Sequence, residues 1–76
     1  MITMTDIRKF GKDITVNGKT VETVIDQLID CGVQAGFNKN SQRKFLLKVI
    51  PNGTYGSELA MAFKHIETMK TLNVLT

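Results

Sequence analysis

The chain has 76 residues, of which 42% are hydrophobic and 22% are charged, and its formal net charge is +3. This length excludes a second hydrophobic core, so we expect residues 1–76 to form a single small globular domain. The composition is typical of a packed soluble domain rather than of a disordered tail. A domain of this size buries only roughly 60% of its unfolded surface, which leaves a homodimer open as a source of further stability.

Cysteine content and hydropathy indicate the compartment. The single cysteine, Cys31, excludes an intrachain disulfide. No stretch approaches the roughly 20 apolar residues of a membrane-spanning helix. The first residues turn polar too early for the apolar region of a signal peptide. We therefore expect a cytoplasmic protein that does not bind a membrane.

The first part of the chain predicts one short helix and an extended segment. Residues Thr5 to Phe10 indicate one or two helical turns, capped by Thr3 or Thr5 and ended by Gly11. β-branched residues then flank Asn17-Gly18, a pair that accepts the positive φ angles of a type I′ turn, so a minimal β-hairpin is one interpretation. We prefer another, in which residues 14–16 are extended and Asn17-Gly18 turns the chain directly into the next helix.

The clearest helical pattern runs from Val21 to Cys31. Its apolar residues recur at positions i, i+3, i+4, i+7 and i+8, and they are Val21, Val24, Ile25, Leu28 and Ile29. Thr20 is placed to cap the start of this helix, and Gly32 is expected to end it in a left-handed conformation.

Residues Ser41 to Ile50 are ambiguous between helix and strand, because the apolar positions fit a helix while the run is short and rich in β-formers. We favour a helix with Ser41 as the N-cap. It is expected to end near Val49, since Pro51 disfavours helical geometry at Ile50.

The longest stretch with helical spacing runs from Ser57, the expected N-cap, to Leu72. Its apolar face consists of Leu59, Ala62, Phe63, Ile66 and Met69. We expect Leu59, Phe63 and Ile66 to pack on Val24, Ile25 and Leu28, with Phe45 or Leu46 between them. The predicted fold is mainly α, a small bundle of three to four short helices with at most one minimal hairpin.

Residues that could carry metal or catalytic chemistry are few. Cys31 and His65 are the only Cys and His, which excludes a structural zinc site. A helix dipole opposes a thiolate at the predicted C-terminal position of Cys31, so we interpret it as a buried or half-buried small hydrophobe. His65 lacks the second base or acid of a triad. The acidic face of Glu22, Asp26 and Asp30 is interpreted as solvated. We expect no enzyme, no cofactor and no metal.

Basic residues concentrate between Cys31 and Ser57, where the sequence has no acid. They are Lys39, Arg43, Lys44 and Lys48, and they could meet phosphates. The loop from Gly53 to Gly56 precedes a helix and could accept an anion, but it lacks the P-loop signature and the sheet that supports a KH module. We interpret it as a structural loop and keep nucleic-acid binding as the alternative function.

Protein binding is the leading hypothesis. Met61 lies roughly opposite Phe63 on its helix, which should leave a large apolar side chain in solvent beside Lys64, His65 and Thr68. The basic segment would suit an acidic partner surface. We therefore predict a non-enzymatic adaptor or inhibitor that acts by covering another protein. Small chains of this kind are typical of phage or mobile-element accessory proteins, which is an analogy only.

Overall fold

The structure is a computed structural model that describes the backbone of residues 2–75 and the side chains of residues 2–72. Its elements are α1 (Met4–Phe10), β1 (Thr15–Val16), β2 (Lys19–Thr20), α2 (Val21–Gln34), α3 (Lys39–Val49), a 3₁₀ helix (Ile50–Asn52) and α4 (Ser57–Leu75). The fold is mainly α, as predicted, and the ambiguous third segment is helical. Among the helices of the described residues, none combines the length and the hydropathy that a membrane-spanning helix needs.

Side chains cap the first two helices. The Thr3 hydroxyl accepts from the Asp6 backbone N–H at 3.3 Å, and the Asp6 carboxylate accepts from the Thr3 N–H at 2.9 Å. This capping box satisfies two N–H groups that the helix itself leaves unpaired. Thr20 caps α2 as predicted, since its hydroxyl accepts from the backbone N–H of Thr23 at 3.2 Å.

The starts of α3 and α4 differ from the prediction. Asn38 rather than Ser41 caps α3, because its side-chain oxygen accepts from N–H groups of the first turn, including that of Ser41 at 3.3 Å. Helix α4 begins at Ser57 itself, and the Gly56 carbonyl accepts the first helical hydrogen bond at 3.2 Å. Ser57 is thus the first helical residue rather than the N-cap.

A two-stranded antiparallel hairpin joins α1 to α2. Thr15 pairs with Thr20 and Val16 with Lys19. The turn residues Asn17 and Gly18 have φ angles of 53° and 81°, the positive values of a type I′ turn. The preferred interpretation, a direct turn without strands, is wrong. The hairpin and the start of α2 can both form because Thr20 is the last residue of β2 and also the N-cap of α2.

Helix α2 continues through Gly32, so the prediction that Gly32 ends it is wrong. The left-handed residue is Gly36, with φ 98°. The N–H of Gly36 donates to the Val33 carbonyl at 2.9 Å and that of Phe37 to the Gly32 carbonyl at 3.0 Å, which is a Schellman motif. Gly32 lies instead at the contact with α3, where a Cβ would overlap the side chain of Gln42.

The end of α3 falls at Val49, as predicted, although the residue before the proline keeps helical geometry. Ile50 has φ −60° and ψ −45° and begins the 3₁₀ helix that contains Pro51. Ile50 is 0% exposed. Burial of a complete isoleucine side chain outweighs the steric bias of the following proline.

One hydrophobic core joins all four helices. Its buried members are Ile2, Ile7, Phe10, Val21, Ile25, Ile29, Leu46, Ile50, Leu59, Ala62, Phe63 and Ile66. The predicted face of α4 is confirmed, with Phe63 and Ile66 at 0% exposure. Leu46, not Phe45, completes the core, and Val24 and Leu28 pack at its edge.

An ion pair joins the first helix to the last. Lys70 Nζ lies 3.0 Å from Asp6 Oδ2. Burial of the Asp6 carboxyl works against its ionisation, but hydrogen bonds from the Thr3 backbone and from Lys70 outweigh that effect. The pKa of Asp6 therefore lies below its ordinary value.

Candidate protein-binding surfaces

The outward face of α4 carries the side chains predicted for protein binding, which are Met61, Lys64, His65 and Thr68. All four are exposed, and Met61 is 70% accessible. The buried residues Phe63 and Ile66 point to the other side of the helix, since neighbours on a helix differ by about 100°. The structure thus places a large apolar side chain in solvent where the sequence predicts it.

This α4 face extends beyond the predicted residues. Leu72 is 57% exposed and lies about three helical turns after Met61, so it falls on the same side. Between them, the Thr68 hydroxyl donates to the Lys64 carbonyl at 3.0 Å. The face therefore has apolar ends and a polar centre.

A second exposed apolar surface lies between α2 and α3, and we call it the aromatic groove. Phe37, Phe45 and Tyr55 form its rim and are 61%, 49% and 42% exposed. Leu28, Cys31 and Leu46 contribute to its lining, and its volume is about 530 Å³. Three of the five aromatic residues in the chain thus surround one concavity.

Glycine-containing turns present two of these aromatic side chains. Phe37 directly follows Gly36, the left-handed residue that closes α2. Tyr55 lies in the short loop between Gly53 and Gly56, whose φ angles are 84° and 120°. Such angles favour glycine, and they let the chain reverse within a few residues. Phe37 and Tyr55 remain exposed at these turns.

Two further depressions lie between the aromatic groove and Met61. Leu28 and Tyr55 also line a second depression of about 570 Å³, which lies between the hairpin and the start of α4. That depression shares Val16 and Glu58 with a third one of about 420 Å³, and Met61 lines the third. The three depressions are therefore neighbours on the surface between the aromatic groove and the α4 face.

Cys31 is an exposed free thiol in the aromatic groove. The expectation of a buried or half-buried small hydrophobe is therefore wrong. The core-facing positions of α2 include Ile25 and Ile29, and Cys31 is turned by about 200° from Ile29. Cys31 therefore lies in the last turn of α2, on the side of the helix that faces away from Ile29.

The structure separates the basic residues of the alternative hypothesis. Lys44 and Lys48 line one groove together with Leu47 and the N-terminal segment 2–4. Arg43 is only half-exposed, and its Nε is buried with no hydrogen-bond partner among the described residues. Lys39 is exposed at the first position of α3. Lys44 and Lys48 are thus the pair that shares a surface.

The glycine loop and this lysine pair line different cavities. Gly56 lies beside Ser57 in the depression between the hairpin and α4. Lys44 and Lys48 line the groove against the N-terminal segment. An anion held at the start of α4 would therefore depend on the loop itself and not on these two lysines.

The titratable residues considered for metal or catalytic chemistry are dispersed. Among the described residues, no group of three or more His, Cys, Asp or Glu could hold a metal ion. Asp26 and Asp30 are exposed on α2, and Glu22 is half-buried. His65 lies on the α4 face, while Cys31 lies in the aromatic groove.

Neither a family model, a curated protein nor a solved structure matches the chain. We therefore infer a function from the chemistry of the surfaces. Among them, the aromatic groove combines a concave shape with exposed apolar side chains, which is the usual combination in binding sites.

Sequence reasoning missed Phe37 and Tyr55 and left Phe45 as an alternative to Leu46. A local signal for the first two is present in the sequence. Each is a large aromatic residue in a short segment rich in Gly and Asn, where neither a helix nor a strand can bury it. Only the packing of α3 on α2 decides that Leu46 turns inward and Phe45 outward.

Proposed function

We propose that the protein is a non-enzymatic protein-binding module, an adaptor or inhibitor that acts by covering a surface of another protein. The observation that carries this proposal is the aromatic groove, with Phe37, Phe45 and Tyr55 around one concavity. Aromatic side chains bury large areas and dominate many protein interfaces. Their exposure keeps apolar surface in water, and a bound partner would remove that surface from water.

Affinity capture from a lysate of the source organism tests this proposal. The immobilised full chain is compared with the Phe37→Ser/Phe45→Ser double variant, after nuclease treatment and washing at high salt. We expect a defined protein to be retained by the wild type and lost from the variant, because apolar contacts resist salt. Retention of the same proteins by both baits, or of nothing specific by either, would contradict the proposal.

The α4 face is a second contact in this proposal, with Met61 as its apolar anchor and His65, Lys64 and Thr68 around it. Met61→Asp should leave the fold intact, since the side chain is 70% exposed. It should weaken capture of the partner, because it places a charge at the contact. Circular dichroism checks the fold, and quantitative capture checks binding. Wild-type capture by this variant would remove the α4 face from the interface.

Nucleic-acid binding remains the second candidate, because residues 32–56 contain four basic residues and no acidic one. Phosphate contacts would make the affinity fall steeply with salt. Neutralising Arg43, Lys44 and Lys48 would then flatten the salt dependence by roughly one unit for each lost contact. Nucleic-acid binding would become the leading function if the wild type bound an oligonucleotide tightly, the triple variant did not, and Met61→Asp bound it like the wild type.

The proposal places the module in the cytoplasm. Its support is the exposed Cys31 thiol, which persists in the reduced form most readily in a reducing compartment. An accessory role in a phage or mobile element is kept as the biological setting by analogy with other small chains that bind host proteins.

A further inference from the structure

The excess of basic over acidic residues is confined to the segment that builds most of the aromatic groove. Residues 32–56 contain Lys39, Arg43, Lys44 and Lys48 and no acid. Since the net charge of the whole chain is +3, the four bases of this segment leave the other residues with a net charge of −1. Phe37, Phe45 and Tyr55 all belong to the same segment, so exposed aromatic surface and excess positive charge coincide.

Helix α3 carries exposed aromatic and basic side chains next to each other. Lys48 lies three residues after Phe45, a spacing that makes side chains neighbours on a helix surface. Lys44 precedes Lys48 by about one turn, and both lysines are exposed. The described residues that line the groove itself include no charged side chain. Lys44 and Lys48 themselves line the neighbouring groove against residues 2–4. The aromatic groove therefore has a mainly apolar lining, and the two lysines lie just outside its α3 wall.

We propose that the aromatic groove binds an acidic amphipathic segment of a partner protein. The apolar side chains of the segment enter between Phe37, Phe45 and Tyr55. The carboxylates of the segment face Lys44 and Lys48. This inference rests on the proposed function and adds the chemistry of the partner. Apolar burial supplies most of the affinity, while the lysines orient the segment and accelerate its association.

A protein segment fits this surface better than nucleic acid does. Bases can stack on exposed aromatic rings, and phosphates can pair with lysines. The lining of the groove, however, also includes Leu28, Cys31 and Leu46. Aliphatic side chains fill such an apolar interior, as amphipathic helices do when they bind in grooves. Oligonucleotide binding is accordingly an outcome of the test.

The test is a selection of random linear peptides displayed on a carrier, with the immobilised full-length protein as bait. Enriched peptides are synthesised, and their affinities are measured at low and high salt. We expect peptides that combine aromatic or aliphatic residues with Asp and Glu. Single-stranded DNA of mixed sequence serves as the competing probe and should bind more weakly than these peptides.

Three variants assign the binding site, each checked for wild-type circular dichroism. Phe45→Ser should weaken the selected peptides by roughly 30-fold or more, as loss of a central anchor does. Lys44→Gln/Lys48→Gln should weaken them by roughly 3- to 10-fold at low salt and less at high salt. Arg8→Gln/Lys12→Gln removes the same charge from exposed positions outside the segment and should change the affinity little.

Several results would overturn the inference. These are enrichment of basic or uncharged peptides, no enrichment at all, or affinities that Phe45→Ser leaves unchanged. If protein capture by the wild type succeeds while the peptides fail in this way, the proposed function stands and only the partner chemistry is wrong. If DNA binds more tightly than every selected peptide, and if this binding disappears in the Lys44→Gln/Lys48→Gln variant, both the proposed function and the proposed partner chemistry are wrong.

Discussion

Phe63 and Phe45 place the same side chain in opposite environments. Phe63 is 0% exposed in the centre of the core, whereas Phe45 is 49% exposed at the rim of the aromatic groove. Apolar burial stabilises a fold roughly in proportion to the area removed from water. Phe63 therefore contributes to folding, while much of the Phe45 surface remains for a partner.

We expect Phe63→Ala to reduce the free energy of unfolding by roughly 3–5 kcal/mol, through lost transfer energy and the cavity left behind. A domain this small has little stability to spare, so the variant should be largely unfolded. Denaturant titration followed by circular dichroism measures the effect. Phe45→Ala is the matched control and should lose far less; equal losses would show that the two environments are assigned incorrectly.

At the scale of elements, the contact between α2 and α3 builds the aromatic groove. Gly32 lies within α2, and the Gln42 side chain of α3 occupies the space that a Cβ at Gly32 would need. Gly32 thus leaves room for the Gln42 side chain at the contact between the two helices. Cys31 and Phe45, each next in the chain or one turn along from this contact, lie on the two walls of the groove.

The Gly32→Ala variant tests this packing. Alanine favours a helix over glycine by roughly 1 kcal/mol, while the end of the Gln42 side chain must move aside to admit the new Cβ. Because that side chain is flexible and half-buried, its displacement should offset only part of the gain, so we expect Gly32→Ala to change the free energy of unfolding by less than about 1 kcal/mol. In a Gln42→Ala background the overlap disappears, so Gly32→Ala should stabilise more than it does in the wild type. Denaturant titrations of the four chains give the coupling energy, and equal effects of Gly32→Ala in the two backgrounds would contradict the contact with Gln42.

At the scale of the whole molecule, Asp6 and Lys70 connect the two ends of the described chain. The Asp6 carboxylate belongs to the capping box of α1 and also accepts from Lys70 of α4 at 3.0 Å. One side chain thereby stabilises a helix start and the packing of the first helix on the last. Its pKa is lowered because these interactions favour the ionised form.

This pKa shift predicts a dependence of stability on pH. A lowered pKa in the folded state means that the ionised carboxylate stabilises the fold above the unfolded value of about 3.9. That contribution is lost as the pH falls through the folded value. Asp6→Asn should therefore be less stable than the wild type by roughly 1 kcal/mol near neutral pH.

The difference between the two proteins should narrow below about pH 4, and thermal denaturation at several pH values measures it. Lys70→Gln retains the capping box and serves as the control, with a smaller loss because Lys70 is partly exposed. A difference between wild type and Asp6→Asn that stays constant down to about pH 3 would contradict this assignment.

The amino-acid pattern alone predicts three of the four helices clearly, the apolar faces of α2 and α4, and the exposure of Met61. These features depend on periodicity and capping, which are interactions between residues close in the chain. The wrong predictions at Ser41 and Gly32 also concern interactions between residues close in the chain. Ser41 and Gly32 carry valid signals for a cap and a helix end, but Asn38 and Gly36 carry the same signals and are the ones used.

The packing of elements that are distant in the chain sets which sides of the helices remain exposed. Phe37, Phe45 and Tyr55 come from a loop, a helix and another loop, and no sequence period relates them. They meet because α3 packs closely on α2 at Gly32 and because the loop before α4 returns Tyr55 to the same side. Cys31 is exposed for the same reason. Burial at a helix flank depends on which distant element covers it, and that information is not contained in the spacing of residues along one helix.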